Sequence, residues 1–112
     1  MTVTNKQLIP PKEMEAALTT QYPAPANGRA ALDKFTATNT SGASAFITVY
    51  IVAFGDTPTN DNLIVDNREI LENETYTFPE LVGHMIEPNG FLSTFGTGSA
   101  LTIACSGREL VS

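Results

Sequence analysis

The stretch Ala45–Phe54, read Ala-Phe-Ile-Thr-Val-Tyr-Ile-Val-Ala-Phe, constrains the fold more than any other part of the chain. In an extended backbone, alternate residues point to opposite faces. Ala45, Ile47, Val49, Ile51 and Ala53 then share one face. Phe46, Tyr50, Val52 and Phe54 share the other. Both faces are apolar, so this strand is expected to lie centrally in a sheet. Either it is covered on both sides, or one side meets a partner.

The rest of the chain supports an all-strand reading. Thr is the commonest residue, with fifteen copies, and its branched Cβ suits a pleated surface. Ala30 and Leu32 alternate, the phase slips by one, and Phe35 and Ala37 continue the pattern. Such a slip inside a strand predicts a β-bulge. Leu63–Ile70, Thr75–Phe78, His84–Glu87, Phe91–Phe95 and Ala100–Cys105 read as further strands. Polar turns separate them, among them Glu72-Asn73-Glu74, Pro88-Asn89-Gly90 and Gly96-Thr-Gly98-Ser. Pro79–Gly83 reads as one helical turn closed by glycine, and Arg108–Ser112 as a short tail. No periodic run long enough for a substantial helix is present. The expectation is an all-β chain: an antiparallel β-sandwich or jelly roll of about eight strands.

Residues 1–28 are less regular and are expected to form an N-terminal arm and connector, with the β-sandwich domain spanning 29–112. Pro10-Pro11 should stop the first extended segment. Lys12–Leu18 then reads as a two-turn helix with Met14, Ala17 and Leu18 on one face. Thr19–Tyr22 reads as a short strand, and Pro23–Gly28 as a rigid connector. This arm either packs on its own domain or docks on a neighbouring subunit. Its apolar residues Leu8, Ile9, Met14, Leu18 and Tyr22 join Phe46, Tyr50 and Phe54 as candidate partner-interface residues.

Charge and chemistry narrow the function. A chain of 112 residues is one domain in size. Twelve acidic against six basic residues leave a net charge of −6, the opposite of what a generic nucleic-acid binder carries. No apolar run is long enough to cross a membrane as a helix, and the first residues lack the apolar stretch of a signal peptide. One Cys and one His exclude disulfide frameworks and Cys/His zinc sites within one chain. His84 has no nucleophile motif beside it. Cys105 shares a face with Leu101 and Ile103 and is expected to be a small core residue. Asp56 and Asp61 offer oxygen ligands without the spacing of a calcium loop. Glu69, Glu72 and Glu74 straddle a predicted turn, where carboxylates are simply solvated. The expectation is therefore no enzyme, no catalytic residue, no metal and no cofactor.

Several phrases carry a family resemblance. They are Thr4-Asn-Lys-Gln-Leu-Ile-Pro-Pro-Lys12 with Leu18-Thr-Thr-Gln-Tyr22, Leu32-Asp-Lys-Phe-Thr-Ala-Thr-Asn-Thr-Ser41, Glu74-Thr-Tyr-Thr-Phe-Pro-Glu-Leu-Val-Gly83, and the ending Ala100-Leu-Thr-Ile103 with Ser106-Gly-Arg-Glu109. Together they resemble small virion proteins of tailed bacteriophages, and in size and strand pattern the jelly-roll cement proteins, also called decoration or staple proteins. The resemblance implies a structural protein made in the host cytoplasm and placed on the capsid exterior of the virion. There it would bridge major capsid proteins, as a homo-oligomer, with no nucleic-acid or membrane partner. The same resemblance leaves open a tail or neck module that binds a host receptor or glycan.

Overall fold

The computed structural model describes residues 2–112. The alternating segments form nine strands, all paired antiparallel: β1 (Thr2–Glu13), β2 (Thr19–Pro23), β3 (Gly28–Asn39), β4 (Ala45–Val52), β5 (Leu63–Ile70), β6 (Thr75–Tyr76), β7 (Met85–Ile86), β8 (Phe91–Gly96) and β9 (Leu101–Val111). Among the described residues, the helical structure is one 3-10 turn, Asn60–Asn62. Thr59 caps it, its hydroxyl accepting from the Asp61 amide at 3.2 Å.

The strands make two sheets. One runs β1-β9-β3-β6, with β7 pairing the other end of β3; the second runs β2-β8-β4-β5. The pairings are nested: β1 with β9, β2 with β8, β3 with β6 and β7, β4 with β5. A long hairpin wound across two layers gives this order, which is the jelly-roll form of the β-sandwich expected from the sequence. β4 is central in its sheet, between β8 and β5. The predicted bulge is present, as a register shift between Leu32 and Lys34 where β3 pairs β9. Opposite it lies Gly107. A Cβ there would run into the Ala31 carbonyl and the Leu8 side chain, so only glycine fits.

The core fills the space between the sheets. Phe35, Ile47, Ile70, Phe78, Leu81, Leu92, Leu101 and Ile103 are all fully buried. Phe78 meets Phe35 edge-on, with centroids 5.0 Å apart, and Tyr76 edge-on at 4.7 Å. Such pairs contribute about 0.5–1.5 kcal/mol beyond their area. Tyr22 of β2 donates its hydroxyl to the Glu109 carboxylate of β9, tying one sheet to the other. Lys6 of β1 reaches the same carboxylate at 3.4 Å.

Three expectations at the chain ends are corrected. Lys12–Leu18 is not a helix: Lys12 and Glu13 continue β1, and the Met14 amide donates to the Leu101 carbonyl at 2.8 Å. Two helical turns cannot hold themselves together in water, and β9 offers a ladder instead. Pro10-Pro11 does not end the strand, because β1 is an edge strand and its register shifts between Ile9 and Lys12. An edge strand tolerates residues without an N–H. Arg108–Ser112 is not a loose tail, since β9 runs to Val111 between β1 and β3. Accordingly, of the segment 1–28, the described residues 2–28 are not an arm outside the sandwich. They supply β1 to one sheet and β2 to the other.

Leu8 and Ile9 are buried, at about 1.5–3 kcal/mol each, which is a large share of a net stability of about 5–15 kcal/mol. A chain lacking residues 2–9 is therefore expected to be unfolded or aggregated at room temperature. A cooperative thermal transition in the truncated protein would overturn this. Cys105 pairs with Ile9 on one side and Phe35 on the other. Its burial, and secondarily the charge of Asp33, push the thiol up to about 12. At pH 8 a thiol reagent should label it slowly in the native protein and rapidly in denaturant; equal rates would contradict the packing.

Candidate functional site

The surface that best fits a partner is the outer face of the β2-β8-β4-β5 sheet. Register decides its membership, since residues opposite each other in a ladder share a face. On β4, Ile47, Val49 and Ile51 share the inner face, and Phe46, Thr48 and Tyr50 the outer one; Val52, next in the outer alternation, is itself buried. Thr48 lies opposite Phe95, Tyr50 opposite Ser93 and Val52 opposite Phe91. Across the other ladder, Phe46 lies opposite Glu69 and Tyr50 opposite Leu63. The centre of the face is therefore aromatic. Tyr50 and Phe95 stack with centroids 6.1 Å apart and planes 23° from parallel.

Small polar groups between the rings are satisfied inside the sheet. The Thr48 hydroxyl accepts from the Asn67 amide at 2.9 Å, at the point where Asn67 takes a positive φ of 50°. Ser93 and Thr20 hydroxyls lie 3.4 Å apart. A partner covering this face would meet apolar rings and hydroxyls already hydrogen-bonded, so little desolvation cost would oppose it.

The candidate interface residues divide into three groups. Leu8, Ile9, Met14 and Tyr22 are buried in the chain's own core and offer no side chain to a partner. This corrects their assignment, and the reason is that β1 and β2 pack within the sandwich. Leu18 is 52% exposed in the β1–β2 connection, whereas Met14 is buried. Phe46, at 37% exposed, and Tyr50 lie on the outer face, and Phe54, at 74%, lies just beyond the end of β4. Sequence reasoning missed Phe91 and Phe95. Their alternation with Ser93 was the available signal, but nothing in it says which face is the inner one.

Charge is distributed unevenly around this face. Outside residues 56–80, five acidic and five basic residues balance. Four ion pairs join them: Lys6–Glu109 at 3.4 Å, Lys12–Glu15 at 2.9 Å, Arg29–Glu87 at 3.8 Å and Arg108–Asp33 at 3.0 Å. Lys12, helped by a hydrogen bond from Gln21, holds the Glu15 carboxyl down at about 2. Within 56–80 stand Asp56, Asp61, Asp66, Glu69, Glu72, Glu74 and Glu80, against Arg68 alone. The guanidinium of Arg68 sits 3.9 Å over the Tyr76 ring rather than in an ion pair. The whole net charge of −6 thus lies on one side of the sandwich, where β5 and β6 are the edge strands.

Other surface features are less organised for function. The loop of Asp56, Thr57, Thr59, Asp61 and Asn62 encloses a shallow hollow. Two of its side chains are committed to the loop: Asn62 accepts from the Thr59 amide at 3.0 Å and donates to the Thr57 carbonyl at 2.9 Å, and the Thr59 hydroxyl accepts from the Asp61 amide. A cleft of about 470 Å³ lies between Asn27, Arg29, Met85, Pro88 and Leu110, with no group of acid and base side chains in its wall. His84 is exposed, and what it does for the fold is done by its backbone, whose carbonyl accepts from the Leu32 amide at 2.9 Å.

No family model and no curated protein matches the chain. Its fold is similar to that of a chain in the structure of infectious bursal disease virus, Gt strain. The TM-score is 0.51 at 9% sequence identity, over 96% of this chain and 32% of that one. At that identity the likeness is one of fold, and the present chain spans about a third of the viral chain's length.

Proposed function

We propose that this protein is a structural component of a virion that binds the outer surface of a phage capsid and stabilises it by bridging major capsid proteins. The observation that carries the reading is the outer face of the four-stranded sheet. It is a sheet surface with Phe46 exposed and Tyr50 and Phe95 half-buried on the side away from the core. A clamp of this kind needs contact area rather than reactive groups. A jelly-roll layer supplies a rigid plane, and aromatic side chains supply much apolar area for little rotamer entropy. The fold likeness to a chain of a virus structure supports the same reading. Modest binding per copy suffices, because many copies act together on a closed lattice. An acidic exterior also keeps such a protein off nucleic acid.

The test compares particles assembled with and without the protein. Shells lacking it are expected to form at the same size and to release their DNA at a lower temperature. Stained gels of purified particles should show it in high copy number. Localisation to the tail, or a few copies per particle, would replace this reading with that of a tail or receptor-binding module.

A further inference from the structure

We propose that the outer face of the β2-β8-β4-β5 sheet, together with its acidic β5 edge, docks onto a basic protein surface: apolar side chains flanked by Lys or Arg. The inference rests on the capsid-binding reading and adds to it which face docks and what chemistry the partner presents.

Three observations carry it. First, the aromatic face and the acidic edge meet at Phe46, since Glu69 lies directly opposite it in the β4–β5 ladder. A body covering Phe46, Tyr50 and Phe95 therefore also meets Glu69, with Asp66 on the same strand and Glu72 in the turn after it. Second, the carboxylates of Asp66, Glu69 and Glu72 have no basic partner among the described residues, whereas the acids elsewhere are largely paired. Charge left unpaired beside an apolar face favours a partner of opposite sign and repels nucleic acid and anionic lipid. Third, a second copy of this chain offers little of that sign outside its own ion pairs. Four of its six basic residues are held in ion pairs and Arg68 lies over Tyr76. The remaining one, Lys34, belongs to the other sheet, opposite Ser106. The occupant is thus a different polypeptide.

The experiment adds purified protein back to particles that lack it and measures binding by co-sedimentation at low and at high salt. Wild-type affinity should fall as salt rises, because rim charges are screened. The double variant Glu69→Lys, Glu72→Lys should bind about tenfold more weakly at low salt and lose most of the salt dependence. Phe46→Ser with Phe95→Ser should weaken binding by about tenfold or more at either salt. Thr36→Glu, on the outer face of the other sheet opposite Ala104, should bind as the wild type does. Thermal melts check that each variant is folded. If the serine variant is not, the lysine variant still decides, since both its positions are exposed. The docking face is wrong if wild-type protein binds and the lysine variant binds equally well or better, or if Thr36→Glu abolishes binding. If wild-type protein does not bind particles at all, the capsid-binding reading fails first and this docking falls with it.

Discussion

The structure depends on β9 being held on both sides. Its eleven residues pair with β3 over nearly their whole length and with β1 on the other side. Both partners lie between Thr2 and Asn39, so the sheet closes only when the two ends of the sequence meet. Closing such long loops is unfavourable until the ladder and the core reward it together. This explains why the termini are strands rather than loose ends. It also explains Gly107 and the bulge at Leu32: where three backbones run side by side across a change of phase, a side chain has no room.

With β9 and β3 fixed, the second sheet follows. Tyr22 of β2 reaches the Glu109 carboxylate of β9 across the layers, and Phe35 of β3 meets Phe78 in the middle. The buried phenol is pushed above its ordinary range, first by desolvation and then by the carboxylate it bonds. It therefore stays a donor at any ordinary pH. β4 is then trapped between β8 and β5 with one face committed to the core. No further sheet among the described residues packs on its other face, where Phe46 is 37% exposed, because a two-layer sandwich has only one interior.

Charge sorts along the same axis. Sequence-distant acids and bases neutralise each other along the sheet of β1, β9 and β3, as in Lys6 with Glu109 and Arg108 with Asp33. Along β5, β6 and their flanking loops, residues 56 to 80, the acids outnumber the bases seven to one. An edge strand bearing unpaired carboxylates resists pairing with its own kind, which protects β5 from edge-to-edge aggregation. The same charge beside exposed aromatics gives the molecule a directed surface, which a scattered charge of equal size would not.

Local signals wrote much of the fold into the sequence. The phase slip before Phe35 located the bulge, Leu63–Ile70 read with its true limits, and Pro88-Asn89-Gly90 marked a turn in which Asn89 takes a positive φ of 63°. The apolar character of both faces of Ala45–Phe54 was equally legible, and with it Phe46, Tyr50 and Phe54 as interface candidates. Tertiary structure alone decided the fate of the ends. Lys12–Leu18 has helical spacing, yet a partner about ninety residues away turned its first part into strand. Leu8, Ile9, Met14 and Tyr22 became core, while Phe95 emerged half-buried on the outer face. Alternation determines which residues share a face. Which face becomes the interior depends on what covers it, and that is set by pairing between strands far apart in the chain.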